Sequence, residues 1–187
     1  MESSPTVDLM LLKNMSELQL TEFLLEFEES YDTQIAERET ATEAFEYIST
    51  KPVSWVILVD GIPSGLFALS PSIRTPEYLQ TTTFLLQRVR KLGLNLLIKR
   101  VVAQTFLDLP AYKLCSCVRD WNERSINSLK KAFPEVVPVW RERIAAEPFG
   151  EWHWFFDLSQ IQRTEFDERG RLVEKAIHDW HNAKTSA

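Results

Sequence analysis

The chain has 187 residues, which suits one domain or one domain with an appendage. Hydrophobic residues make up 44 % and charged residues 26 %, the balance of a water-soluble globular protein. A membrane-spanning helix needs an apolar run of about 18 residues, and no run in this sequence is that long. We therefore do not expect a membrane protein. The N-terminus lacks the basic start and apolar stretch of a secretory signal, and we therefore expect a cytoplasmic location.

Apolar runs separated by turn residues predict an α/β fold. The dipeptide Asp60-Gly61, between two runs rich in β-branched residues, is typical of a β-hairpin. Later strand–helix–strand units require parallel strands, so we expect a mixed, partly parallel sheet flanked by helices. In chain order, the predicted elements are a strand at Val7–Leu12, helices at Glu17–Glu29 and from Thr40 or Thr42 through Ile48, strands at Val53–Val59, Ile62–Leu69 and Tyr78–Leu86, a helix through Leu94–Phe106, a strand at Tyr112–Val118, a helix from Asp120 or Asn122 to Phe133, and strands at Val139–Ile144 and Glu151–Leu158.

The character of the sequence changes near its end. Apolar residues recur there with the spacing of an amphipathic helix. We therefore predict one domain over residues 1–158 and a C-terminal helical extension over residues 159–187. Two interpretations of the extension stay open. It packs on its own domain, with Leu172, Ile177 and Trp180 buried on one face of the helix, or it forms a homodimer contact through these three residues.

Charge is distributed unevenly along the chain. Residues 17–46 hold ten acids against one base, whereas residues 87–131 hold ten bases against three acids. The first segment therefore carries −9 and the second +7. Two ordinary solvated faces would account for this pattern, and so would two binding surfaces for ligands of opposite charge.

The two cysteines, Cys115 and Cys117, do not indicate a disulfide or a metal site. A disulfide between such close neighbours in a strand is geometrically poor, and a metal needs more ligands than the pair offers. We predict that both are plain core or wall residues and that the protein holds no metal.

The segment Arg90-Lys91-Leu92-Gly93-Leu94-Asn95 lies between a predicted strand and a predicted helix. A glycine there lets a ligand approach the backbone, and the helix N-terminus offers unpaired N–H groups and the positive end of its dipole. Such a place binds phosphates, and Arg90 and Lys91 add charge to it. The common nucleotide loops GxxxxGK[ST] and GxGxxG are both missing from the sequence.

This segment resembles the pyrophosphate signature of the GNAT-type N-acyltransferases, (Arg or Gln)-x-x-Gly-x-(Gly or Ala), with Asn95 at the last position. The stretch from Asn122 to Phe133 is similar to the family's Asn-x-x-Ser-Ile-x-x-Leu-x-Lys-x-Gly-Phe, one residue shorter before the Phe. The resemblance covers residues 6–158. It implies the GNAT fold, acetyl-CoA as co-substrate, and a splay between the fourth and fifth strands that admits the pantetheine arm. The coenzyme-binding residues that it implies are Leu85, Leu86, Arg90, Lys91, Leu92, Gly93, Leu94, Asn95, Asn122 and Ser125.

The usual catalytic groups of the family are not evident. Many members have a tyrosine on the fourth helix that protonates the departing thiolate, and this chain has Leu129 there. The fourth and fifth predicted strands also lack the glutamate that often serves as the base. The catalytic residues are therefore unassigned. The remaining candidates, each of which a structural role would also explain, are Asp60, Asp120, Tyr78 and His153.

Two functions follow from the resemblance. The first is an N-acetyltransferase acting on an amine of a basic acceptor, either a protein lysine or N-terminus or a small amine. The second is a GNAT-fold protein with little or no catalysis that binds and regulates a protein partner. In this family the first two helices line the acceptor side, where the −9 segment lies, which favours a cationic acceptor. We do not expect nucleic-acid binding, because the basic segment coincides with the predicted phosphate site and lacks interleaved aromatic residues.

Overall fold

The computed structural model describes residues 5–31, 40–72, 77–109, 112–141 and 153–185. The strands in these ranges are β1 (Val7–Leu11), β2 (Val53–Val59), β3 (Ile62–Pro71), β4 (Tyr78–Leu85), β5 (Lys113–Arg119), β6 (Val139–Arg141) and β7 (His153–Asp157). The helices are α1 (Glu17–Ser30), α2 (Ala41–Ser49), α3 (Leu94–Leu107), α4 (Glu123–Ala132) and α5 (Glu168–Thr185).

The described strands form one mixed sheet with the order β1-β2-β3-β4-β5-β7-β6. Strands β4 and β5 are parallel, and the other neighbouring pairs are antiparallel. The predicted fold class, a partly parallel sheet flanked by helices, is confirmed. None of the described helices is long and apolar enough to cross a membrane.

Local sequence explains where several elements begin. Ser16 and Thr40 cap α1 and α2, each with the reciprocal bond of a capping box. Asn122, rather than Asp120, caps α4, because its side chain accepts a backbone N–H of the first turn. Between β2 and β3, Asp60 and Gly61 have φ values of 50° and 77°, the left-handed conformation that a tight hairpin turn requires.

Aromatic side chains join one face of the sheet to α3 and α5. Trp180 of α5 meets Trp55 of β2 with their ring centroids 5.5 Å apart, and it stacks on Phe106 of α3 at 6.1 Å. Phe67 of β3 lies 5.9 Å from Trp55 in the same layer. This layer is therefore closed by the C-terminal helix.

The C-terminal helix packs on its own domain, which is one of the two predicted alternatives. Val173 and Ile177 are fully buried and Trp180 is partly buried. A Cβ added to Gly170 would lie 2.6 Å from the Cβ of Phe166 and 3.2 Å from the Val101 side chain of α3, so the glycine permits close packing against both. Leu172 is 37 % exposed, contrary to prediction. It lies about 100° around the helix from Val173 and so leaves the buried stripe. The domain boundary after residue 158 stays a prediction.

The opposite face of the sheet is covered by α1 and α2. Phe84 of β4 lies 4.2 Å from the ring of Phe27 and 6.2 Å from that of Tyr31, both near the end of α1. Successive side chains of a strand point to opposite faces. Thr83 therefore faces the α3 layer, as does its cross-strand partner Phe67.

Some predicted features extend beyond the described residues. The strand predicted at 139–144 is described only up to Arg141, and the one predicted at 151–158 is described from His153. Three acids of the −9 segment, Asp32, Glu37 and Glu39, also lie outside the described residues. The aromatic strand β7 lies second from the edge of the sheet.

Candidate functional site

The parallel strands β4 and β5 separate in the middle of the sheet. They pair only where Tyr78–Gln80 lies beside Lys113–Cys115, although both strands continue beyond these residues. At the start of the gap, the hydroxyl of Thr81 donates to that of Ser116 at 3.1 Å. The resulting opening is the splay that the resemblance implies.

The gap exposes a backbone donor of β4. The N–H of Leu86 donates to the carbonyl of Ser64 at 3.0 Å. Because hydrogen-bonding direction alternates along an antiparallel ladder, the N–H of Leu85 points away from β3 and into the gap. Leu85 therefore offers a backbone N–H to a ligand, whereas the N–H of Leu86 is used within the sheet.

A cavity of about 730 Å³ occupies the gap and reaches helices on both faces. Its described lining contains six cationic residues and no acidic residue. A cavity of this charge favours a polyanionic ligand. The six cations are Arg90, Lys91, Lys99, Arg119, Arg124 and Lys131.

The N-terminus of α3 lies at the open end of this cavity. A 3-10 turn over Gln87–Leu92, which the sequence did not predict, leads to Gly93, whose φ of 72° is left-handed. A Cβ added to Gly93 would meet nothing within 4 Å, so the backbone conformation and not packing requires the glycine. The first N–H groups of α3 have no partner inside the helix, and together with the free space they suit a phosphate.

The ten residues predicted to bind the coenzyme do not all reach the cavity with their side chains. Those of Leu86 and Leu94 are fully buried in the core, and that of Leu92 is 45 % exposed outside the cavity lining. Leu86 already uses its N–H with Ser64 and its carbonyl with Val89, so of these three only Leu92 and Leu94 are left to contribute backbone groups. The seven that line the cavity are Leu85, Arg90, Lys91, Gly93, Asn95, Asn122 and Ser125.

The guanidinium of Arg90 joins two elements at the cavity wall. It donates to the carbonyl of Leu85 at 2.9 Å and to that of Ser30 at the end of α1. It also lies 5.6 Å from the ring centroid of Phe84. Arg90 therefore fixes α1 against β4, whereas Lys91 is exposed at the open end, where an incoming phosphate would meet it first.

Helix α4 forms the wall opposite α3. The side-chain oxygen of Asn122 accepts the N–H of Ser125 at 3.1 Å, so this asparagine both caps α4 and lines the cavity. Asn95 of α3 donates to the hydroxyl of Ser128 at 3.1 Å and so connects the two helices. Its Oδ1 atom is buried without a hydrogen-bond partner among the described residues.

Of the catalytic candidates named from the sequence, Asp60, Asp120 and Tyr78 do not line the cavity. Asp60 accepts the N–H and the hydroxyl of Thr6 and so holds the hairpin turn. Asp120 accepts the N–H of Trp121. Neither lines the cavity. The side chain of His153 lies outside the described residues.

Tyr78 also has a structural role. Its hydroxyl donates to Asp157 at 2.9 Å. Burial and this hydrogen bond raise the pKa of Tyr78 to about 12, so the phenol does not lose its proton near neutral pH. Leu129, which stands where many relatives have the acid, is fully buried and has no proton to donate.

Both cysteines lie on β5, and neither is in a disulfide. Cys115 is buried, and a hydrogen bond with Cys117, together with burial, raises its pKa well above the usual range. Cys117 is half-buried and lines the cavity, in agreement with the expectation of a wall residue. Among the described residues, no three His, Cys, Asp or Glu side chains gather as a metal site would require.

Among the cavity-wall residues that sequence reasoning missed are Tyr31, Tyr47, Thr83 and Lys99. Lys99 is 7 % exposed and has no hydrogen-bond or ion-pair partner among the described residues. Burial lowers its pKa from 10.5 to about 8. A signal was present, because Asn95 and Lys99 are four residues apart and so share one side of the helix.

Comparisons with known proteins bear on the fold. No protein-family model matches the sequence, and no curated protein matches it either. A solved structure of a presumed acetyltransferase has a TM-score of 0.60 to this chain at 17 % identity, over 86 % of this chain and 89 % of its own. The structure of aminoglycoside acetyltransferase AAC(6')-Ib with paromomycin and acetyl-CoA has a TM-score of 0.59 at 15 % identity, over 87 % of this chain and 99 % of its own. The structure of a presumed acetyltransferase from Acinetobacter baylyi ADP1 has a TM-score of 0.58 at 12 % identity, over 89 % of this chain and 100 % of its own. At such identities the likeness establishes a common fold.

Proposed function

We propose that this chain, which has the fold of the GNAT-type N-acyltransferases, transfers an acetyl group from acetyl-CoA to an amine. One observation carries the proposal. The gap between β4 and β5 opens at the N-terminus of α3, within a cavity whose described lining has six cations and no acid. The gap suits a slender uncharged arm, and the cationic helix end suits phosphates. Coenzyme A combines these two parts.

Different residues of the cavity would bind different parts of the coenzyme. Lys91, Gly93 and the first N–H groups of α3 would hold the pyrophosphate, with Asn122 and Ser125 on the wall facing the pantetheine arm. Bound acetyl-CoA supplies an activated thioester carbonyl. The N–H of Leu85, which points into the gap, would stabilise the negative charge that develops on the carbonyl oxygen during attack.

The attacking amine must lose its proton first. A lysine-type amine has a pKa of about 10.4 and is mostly protonated at neutral pH. The described lining offers no carboxylate to accept that proton. Lack of a general base costs roughly 10² to 10⁴ in rate, so we expect slow turnover that depends on binding and orientation.

The same lack of a carboxylate favours a second candidate function. A GNAT-fold protein with little or no catalysis would keep the coenzyme site and use its surface to bind and regulate a protein partner. Both functions require coenzyme binding, and only the first requires release of the free thiol.

We propose a basic acceptor. Tyr31, Tyr47 and Ile48, on α1 and α2, line the cavity on the face opposite α3, and the exposed Glu28 and Glu29 lie on α1. Acids on that side would attract a cationic amine, while the six lining cations attract the coenzyme. An aminoglycoside acetyltransferase has the same fold, which also supports a small amine. A cytoplasmic location stays a prediction.

A negatively charged substitution at Gly93 tests the proposed coenzyme site. Acetyl-CoA at about 100 times its dissociation constant should stabilise the fold by about 2.7 kcal/mol. Gly93→Asp should abolish the resulting thermal shift, because it places a negative charge where phosphates approach. Gly93→Asn is the matched control, since Asn and Asp tolerate the left-handed backbone similarly and differ in charge. If the Asp variant keeps as large a shift as the Asn variant, phosphates do not bind here.

Thiol release from acetyl-CoA separates the two candidate functions. Steady release that requires an added amine supports the acetyltransferase. Binding of acetyl-CoA without thiol release, measured with lysine-rich peptides and polyamines, supports the non-catalytic protein. A wild-type protein that binds neither CoA nor acetyl-CoA would contradict both.

A further inference from the structure

Lys99 is a buried cation to which the described residues offer no partner. It is 7 % exposed, lines the cavity, and has no ion-pair or hydrogen-bond partner among the described residues. Its neighbour Arg100 is fully engaged, with Glu135 at 2.9 Å and with the carbonyl of Ala132. A charge taken out of water is costly unless it is paired. The contrast points to a ligand group that pairs with Lys99.

The position of Lys99 indicates which part of the ligand this is. Helix α3 runs back over the sheet from Gly93, and six residues of helix span about 9 Å. Lys99 therefore lies well beyond the phosphate site, toward the end of the gap that Thr81 and Ser116 close. A coenzyme whose phosphates sit at Gly93 extends its arm in that direction, so the acyl group approaches Lys99.

Thr83 supplies an independent observation. Its hydroxyl oxygen is buried without a hydrogen-bond partner among the described residues, and the residue lines the same cavity. Its cross-strand partner Phe67 packs in the α3 and α5 layer, whereas the next residue, Phe84, packs on α1. Thr83 and Lys99 therefore bring two unused donors to the same face of the gap.

We propose that Lys99 and Thr83 form a subsite for a carboxylate at the end of the donor's acyl group, so that dicarboxylic acyl-CoA thioesters bind better than acetyl-CoA. The inference rests on the proposed coenzyme site. The pantetheine arm is uncharged, and an acetyl group has no anion to offer. The terminal carboxylate of a malonyl or succinyl group supplies the negative charge and accepts hydrogen bonds from both donors.

Two further considerations support the acyl group as the source of the carboxylate. An acceptor would enter on the α1 and α2 face, and Lys99 reaches the gap from the α3 face. The pKa of Lys99 is lowered to about 8, so at pH 7 its amine is still mostly protonated. The other titratable groups of the described lining are Tyr31, Tyr47, Cys117 and the five remaining cations, so this lining includes no carboxylate that could pair with Lys99.

Calorimetric titration at pH 7 with CoA, acetyl-CoA, malonyl-CoA and succinyl-CoA tests the subsite. In the wild-type protein, malonyl-CoA or succinyl-CoA should bind about 10-fold or more tightly than acetyl-CoA, as expected for hydrogen bonds to charged groups. Lys99→Met should bring this ratio close to 1, and the isosteric Thr83→Val should lower it several-fold. The control Lys91→Met, at the phosphate end, should weaken all four ligands and leave the ratio unchanged.

Three results would overturn the subsite while the coenzyme site stands. Equal affinities of the wild type for acetyl-CoA and both carboxylated thioesters would remove the preference itself. An equal loss of affinity for all four ligands in Lys99→Met would show that Lys99 contacts the body of the coenzyme. Acetylation of Lys99 by acetyl-CoA alone, detected by mass spectrometry, would make it an acceptor. Failure of the wild type to bind any of the four would instead contradict the proposed function.

Discussion

Replacing Lys99 by Met should stabilise the ligand-free protein. Burial holds the pKa of Lys99 at about 8, against an ordinary value of 10.5. Each pH unit of such a difference corresponds to about 1.4 kcal/mol, so the buried ammonium destabilises the fold by about 3 kcal/mol at neutral pH. Methionine has a similar length and no charge. For a chain of this size, the gain should raise the melting temperature by roughly 6–12 °C.

The pH dependence identifies the cause. Below pH 8 the lysine is protonated in both the folded and the unfolded state, and the folded state bears the full penalty. Between pH 8 and 10.5 the folded protein loses this proton while the unfolded chain keeps it, so wild-type stability should rise with pH. The advantage of Lys99→Met should therefore be complete below pH 8 and disappear near pH 10.5.

Arg100 provides the matched control. It is the next residue of α3, and its guanidinium bonds Glu135 and the carbonyl of Ala132. Arg100→Met should destabilise the protein by about 1–3 kcal/mol, because it leaves these partners unsatisfied. Urea unfolding of both variants at pH 7 and at pH 10 measures the differences. If Lys99→Met destabilises at pH 7, or stabilises equally at both pH values, the amine is not an unpaired buried charge.

Two other predictions concern the C-terminal helix and the acceptor side. Trp180→Ala should lower the free energy of unfolding, measured with urea, by about 3 kcal/mol at every protein concentration, because the ring packs on Trp55 and Phe106 within the chain. The control Trp121→Ala, at a site 43 % exposed, should lower it much less. A loss of stability confined to high protein concentration would indicate a dimer contact. The double variant Glu28→Lys, Glu29→Lys should lower kcat/KM for a basic acceptor and make it less dependent on salt concentration, while coenzyme affinity stays unchanged. If the salt dependence of kcat/KM does not change, these acids only keep α1 solvated.

Much of the fold could be predicted because its signals are local. The capping residues Ser16 and Thr40 bond within three residues of themselves, and Asp60-Gly61 adopts the left-handed backbone that a tight hairpin turn requires. The order of strands and helices followed from apolar spacing together with turn and capping residues. The 3-10 turn before Gly93 was missed, since nothing in its composition distinguishes it from the start of α3.

The candidate site could be predicted in part, because only some of its residues act through position in a motif. Gly93 and Asn122 were found from short patterns, and both line the cavity. Leu86 and Leu94 were also predicted to bind the coenzyme, and their side chains are buried in the core. Which side chain of a neighbouring pair faces a gap depends on strand register and helix phase, and a motif carries neither.

Adjacent residues on α3 show most clearly what the sequence cannot convey. Lys99 and Arg100 contributed identically to the +7 segment. They lie about 100° apart around the helix, so Arg100 turns toward the end of α4 and finds Glu135, while Lys99 turns toward the gap between β4 and β5. The gap exists because two parallel strands separate after three paired residues, a long-range property of the sheet. A count of charges could therefore predict that this region attracts anions. Whether each cation forms an ion pair within the fold or is available to bind a ligand depends on the tertiary structure.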